Sequence, residues 1–165
     1  MYLAASVVIF SLTACDKDDE NEVNSTDQNY VAMASVSNNA EIMAGQVAAA
    51  KGNSAMVKNY GSLMVSEHNL AQTDLKNRAS GAGLSVADTV DAEHRALMTR
   101  LNSLTGYSFD TAYINSQIKD HQKTIDLFQT EINGGKNQQI RSYASEYLPH
   151  IQMHYNRADS IRRAL

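Results

Sequence analysis

Apolar residues recur at intervals of three and four along four long segments of this chain, and Pro149 is the only proline that interrupts them. That spacing lines one face of an α-helix, and no period-two alternation competes with it. The segments are residues 29–51, residues 54–80, a stretch from near Ser108 to Gly134 and Gly135, and residues 136–165. A shorter helix is expected in "DTVDAEHRALMTRLNSL", between the second and third. Turn signals fall at the joints: Gly52 suits a left-handed helix end, Ser54 can cap the second helix, and Ser108 or Asp110 can cap the third. The expected fold is all-α, a four-helix bundle with a short extra helix between its second and third long members.

Each core-facing row carries an ionisable residue where a leucine would be ordinary. The first helix presents Val31, Ala34, Asn38, Glu41, Gly45 and Ala48, and the second Val57, Tyr60, Met64, His68, Ala71, Leu75 and Ala79. The third presents Ile114, Ile118, His121, Ile125, Phe128 and Ile132, and the fourth Ile140, Ala144, Tyr147, Ile151, His154, Ala158, Ile161 and Leu165. At about 1.5 Å of rise per residue, Glu41 and His68 lie roughly 15 and 21 Å from the first turn. If the connection before the third helix returns the chain to that same end, His121 and His154 lie at roughly 17 and 15 Å. A simple up-down-up-down order spreads the four residues further apart. The long connection can run the length of a bundle, and a bundle with one such crossover is ferritin-like. Pro149 inside the last helix predicts a kink.

Composition removes several classes of function. The segment from Cys15 to Asp27 holds six acids against one lysine, about −5, and the whole chain carries −4, which leaves the remainder near +1. No basic stripe with interleaved aromatics exists, so no nucleic acid is expected as a partner. Cys15 is the only cysteine, which excludes an internal disulfide and a cysteine-cluster metal site.

The first residues, "MYLAASVVIFSLTAC", form an apolar run closed by small residues and a cysteine. The run is shorter than the ~20 residues a membrane-spanning helix needs and reads as the apolar region of a secretory signal. Leu12-Thr13-Ala14-Cys15 resembles the bacterial lipobox, in which cleavage precedes the cysteine and lipid is attached to it; no Lys or Arg precedes the run, where such signals carry one. Residues 1–14 are thus expected to be a lipoprotein signal peptide, 15–28 an acidic tether and 29–165 the bundle, held to a membrane through Cys15. Lys17-Asp18-Asp19-Glu20 resembles the signal that sends some lipoproteins to the outer face of the outer membrane; facing the periplasm is the alternative.

The stretches "AEIMAGQVAAAKG", "VKNYGSLMVSEHNLAQTDL", "FDTAYINSQIKDHQKTIDLFQ" and "IRSYASEYLPHIQMHYNRA" resemble, in order and spacing, the bacterial ferritin-like family called domain of unknown function 4142. The resemblance spans about residues 29–164. It implies a four-helix fold and an envelope location, with the family's Glu at Glu41 and its histidines at His68, His121 and His154. Where the family often has Asp-His, this chain has Glu67-His68. The resemblance brings no established reaction.

Two readings of the polar residues follow. In the first, Glu41, His68, His121 and His154 satisfy one another as a buried network, helped by Tyr60, Tyr113 and Tyr147, in a non-catalytic binding or structural module. In the alternative they hold Zn, Cu or Fe, with His150 a further candidate one turn from His154, and Glu67 and Asp120 as outer partners. Ferritin-type iron oxidation is not expected, because no Glu-x-x-His occurs: Leu70 follows Glu67 by three and Ala96 follows Glu93 by three. No nucleophile elbow or phosphate loop exists. His94, in "DAEHRALM", reads as a surface or boundary residue. The chain is therefore expected not to be an enzyme.

Overall fold

The computed structural model describes residues 21–165 and contains five helices and, among the described residues, no strand. They are α1 (Ser25–Lys51), α2 (Ala55–Gly81), α3 (Ala92–Ser103), α4 (Gly106–Gly134) and α5 (Gln138–Ala164). Cys15 and the acidic run at residues 17–20 lie outside the described residues.

Contacts between helix ends fix the topology. Asn24, which caps α1, donates from Nδ2 to the carbonyl of Gly134 at the end of α4. The backbone N–H groups of Asn53 and Ser54, in the α1–α2 turn, donate to the Asp110 carboxylate at the start of α4. Gly81, ending α2, lies beside Gln139 at the start of α5. The chain therefore runs up α1, down α2, back along the bundle through α3, down α4 and up α5. That is the crossover order, and it sets His68 on α2 level with His121 on α4. Lys51 holds the connection in place by donating from Nζ to the carbonyls of Leu101 and Asn102.

Local chemistry at the helix ends departs from the sequence reading in three places. Helix α1 begins four residues ahead of the expected start at residue 29, because Asn24 and Asp27 form a capping box that satisfies two end donors at once. Gly52 is not left-handed (φ −47°, ψ 136°); its lack of a side chain matters because a Cβ would meet the Ala48 carbonyl oxygen at 2.7 Å. Neither Ser108 nor Asp110 caps α4, whose cap residue is Thr105; Asp110 closes the neighbouring turn instead. Ser54 does cap α2, accepting from the N–H of Val57. Helix α5 is continuous through Pro149.

Two apolar blocks form the core. One gathers Tyr30, Leu75, Phe128, Ile140 and Tyr143; the other gathers Val57, Tyr60, Met64, Phe109, Tyr113 and Ile114. Between them lies a buried polar layer made of Asn38, Glu41, His68, Gln117, His121 and His154. Helices α1 and α2 approach closely beside it through Gly45 and Gly61: a Cβ on either would come within 2.8 Å of the other's carbonyl oxygen. Burial of the apolar blocks, at about 25 cal/mol per Å², drives folding and supports a layer that apolar packing alone would not choose.

A candidate metal centre of three histidines

His68, His121 and His154 come from α2, α4 and α5, and all three are buried. Their ring centroids form a nearly equilateral triangle, with His68–His121 at 5.8 Å and the other two sides at 5.4 Å. One ring nitrogen from each lies within 4.8 Å of the other two. Nitrogens that share a zinc ion at about 2.1 Å sit roughly 3.4 Å apart, so at most a small closing of the rings is needed around an ion.

The hydrogen bonds decide which nitrogen of each ring carries a proton. His68 Nδ1 lies 2.9 Å from Asn38 Oδ1, His121 Nδ1 lies 2.9 Å from the Gln117 carbonyl oxygen, and His154 Nε2 lies 2.8 Å from Glu67 Oε2. Each partner is an acceptor only, so each of these nitrogens donates. The other nitrogen of each neutral ring then holds a bare lone pair. Those nitrogens are His68 Nε2, His121 Nε2 and His154 Nδ1, and all three are buried with no hydrogen-bond partner. The network reading expects the histidines to satisfy one another; they do not. They present three lone pairs, one per ring.

A second tier of contacts fixes these orientations. Asn38 Nδ2 donates to Gln72 Oε1 and to the Tyr143 hydroxyl, which settles the side of its amide that accepts from His68. Gln72 Nε2 in turn donates to the Ser35 hydroxyl and to Asp88, and Ser35 Oγ donates to the Ala87 carbonyl. The crossover segment thus anchors the tautomer of His68 through two side chains. Tyr60 donates to the His154 carbonyl oxygen. Carboxylate or carbonyl acceptors behind ligating imidazoles are the usual way a protein sets ligand orientation and basicity.

Electrostatics keep the rings neutral. Burial lowers the pKa of His68, and the neighbouring His121 and His154 lower it further. Burial pushes His121 down to about 3, with His154 adding to the effect. Burial also lowers His154, against the opposing pull of Glu67. Each shift favours the neutral ring, which keeps the lone pairs available.

Glu41 and His150 stand apart from the three-nitrogen group. Glu41 Oε1 is 3.8 Å from His121 Nδ1, the nitrogen that carries the proton, so Glu41 sits behind the ring and not among the inner nitrogens. Burial first, and Asp120 second, raise the Glu41 carboxyl to about 8, which holds it protonated at neutral pH. His150 is more than half exposed, with Nδ1 3.6 Å from Glu67 Oε2. Asp120 is raised by burial. Tyr147 stacks on Tyr143 and is not part of the cluster, and the Tyr113 hydroxyl has no partner. His94 pairs with Asp91 at the edge of α3. Asn38 was legible as a core-row residue; only the fold shows that it sets the tautomer of a histidine thirty residues on.

The domain of unknown function DUF4142 matches residues 13–161. The chain belongs to that family. Nothing matches among curated proteins. A crystal structure of a DUF305 fragment from Deinococcus radiodurans superposes with a TM-score of 0.77 at 9% identity, covering 87% of this chain and 99% of that one. At that identity the match shows a shared fold alone. This DUF4142 chain is a helical-bundle domain for which neither comparison names an activity. Among its described residues no helix is long and apolar enough to cross a membrane.

Proposed function

We propose that this domain binds one transition-metal ion, Zn²⁺ or copper, on His68 Nε2, His121 Nε2 and His154 Nδ1. The observation that carries the proposal is the set of three partnerless lone pairs, each fixed by an acceptor behind its ring. Burying three unpaired polar atoms is costly unless something supplies the missing partner, and a metal ion supplies it to all three at once. Imidazole ligands without a carboxylate suit zinc and copper better than iron, whose common mononuclear site needs a carboxylate. Glu41, protonated and behind His121, is not that carboxylate. The single-crossover order is the one ferritin-like bundles use, but the carboxylate-rich set of a di-iron centre is missing from this layer. The function is binding, for storage, sensing or protection, without catalysis.

Location follows from the N-terminal signals. The protein is an envelope lipoprotein anchored through Cys15 and displayed on the outer membrane. In cells fed labelled fatty acid, Cys15→Ala abolishes the label on this protein; equal labelling of wild type and variant refutes the anchor. Metal binding is tested on chelator-stripped protein refolded with Zn²⁺, Cu²⁺ or Fe²⁺ and measured by elemental analysis. The expected result is one zinc or copper per chain, lost in His121→Leu. No bound ion at concentrations far above micromolar leaves the layer a purely structural one.

A further inference from the structure

The three acceptors behind the histidines differ in one respect. Asn38 and Gln117 are buried at 4% and 1% exposure, whereas the Glu67 side chain is 30% exposed. Glu67 also serves two rings from one oxygen: Oε2 lies 2.8 Å from buried His154 Nε2 and 3.6 Å from exposed His150 Nδ1. Exposure thus falls along a line of potential ligands, from 57% at His150 through 30% at Glu67 to 2% at His154. An open cavity of about 430 Å³ between α2 and α5 is lined by all three of these residues, together with His68 and Tyr147. The separation of His150 Nδ1 from Glu67 Oε2 is too long for a hydrogen bond and close to the distance between two ligands of one ion.

We propose that the α2–α5 cleft is the port through which the metal reaches the buried histidines, with His150 and Glu67 as the pair that first captures it. This rests on the metal-binding reading of the trio. The hydrated ion exchanges water for His150 Nδ1 and a Glu67 carboxylate oxygen. It then exchanges these for the inner nitrogens, starting with the two histidines that line the cleft. Because the same oxygen holds the N–H of His154, capture loosens that ring as the ion arrives. Binding of the three inner nitrogens then completes the site. Glu67 and Glu146 on the cleft wall favour a cation there, against Arg78, which pairs with Glu146, and Arg157, whose charge acts on His154.

The test uses the full chain, stripped of metal, loaded with Zn²⁺ in a stopped-flow instrument and then stripped by a chromogenic chelator. In His150→Ala, one ion per chain is still bound, while loading and stripping both slow by about tenfold, the lower end of what a focusing cleft supplies. His94→Ala, which removes a histidine of α3 that lies outside the cleft, loads at the wild-type rate. Equal rates for His150→Ala and wild type at full stoichiometry overturn the port and leave the site standing. Loss of the ion in His150→Ala overturns it as well, by making His150 a resident ligand. No zinc on wild type removes both the site and its port.

Discussion

This bundle buries ionisable groups in two kinds of place, and they are built on opposite plans. At the ends are carboxylates. Asp27 accepts from the backbone N–H groups of Asn24, Lys136 and Asn137 at 2.7–3.2 Å, and Asp110 accepts from those of Asn53 and Ser54 at 2.8 Å. Both lie where helix ends leave donors without partners, and both give those donors a charged acceptor. At mid-height are Glu41, with one oxygen unpartnered, and the imidazoles, each with one nitrogen paired and one bare. The paired carboxylates Asp27 and Asp110 hold helix ends together, whereas Glu131, buried beside Asp27, has no partner for either oxygen. Incomplete hydrogen bonding, repeated on three adjacent rings, marks a place that awaits something else.

That contrast is open to attack by substitution. The largest effect is expected at an end: Asp110→Ala strips two turn donors of their acceptor and lowers unfolding free energy by about 3 kcal/mol, read from denaturant midpoints at constant slope. In metal-free protein His121→Leu, a change of similar volume, shifts stability by less than about 1.5 kcal/mol in either direction. A loss in His121→Leu as large as that in Asp110→Ala makes the imidazole layer structural after all. Next comes the ion. Zinc or copper at a hundredfold excess over Kd stabilises wild type by about 2.7 kcal/mol, seen as a raised Tm, and does nothing for His121→Leu.

A smaller effect, dependent on pH, separates the layer from the acidic end. His121 has a folded pKa depressed to about 3, so the unfolded chain takes up its proton first as pH falls. Its contribution is fully present above the ordinary histidine range and is lost as pH falls from there toward 3. Glu131 has the opposite sign. It is fully buried beside Asp27, and burial, with Asp27 adding to it, raises its carboxyl to about 8. Its contribution is present at low pH and is lost as pH rises from the ordinary carboxyl range through 8. Urea titrations across pH should show a shallower acid slope in His121→Leu and a shallower alkaline slope in Glu131→Gln. Slopes unchanged from wild type refute the burial assigned to each. The smallest expected effect is at His94→Ala, within about 0.5 kcal/mol, since that ring sits at the edge of α3 beside Asp91.

Sequence periodicity was enough to put Glu41, His68, His121 and His154 on core-facing rows, and all four are buried. The crossover order was legible too, because only that order brought the four residues near one level. Periodicity could not separate ligand from neighbour. Glu41 shares the level of the histidines yet stands behind one of them, and His150 shares a helical face with His154 yet remains at the surface. Glu67 was foreseeable as an outer partner from its place beside His68, though it serves the histidine of another helix.

The helices, their core faces and the misplaced polar residues are local properties. They depend on spacing along one segment, which an α-helix converts into direction, so the sequence by itself determined them. The tautomer of each ring is not local. It depends on which acceptor another helix brings behind it: Asn38 from α1 for His68, and Glu67 from α2 for His154. Even His121, whose acceptor is the Gln117 carbonyl of its own helix, needed packing to turn its ring and to bury its other nitrogen. The difference between a polar knot and three partnerless lone pairs was therefore settled by tertiary structure. A hydrogen bond has a direction as well as a partner, and the spacing of residues along a helix carries no information about the second helix that receives it.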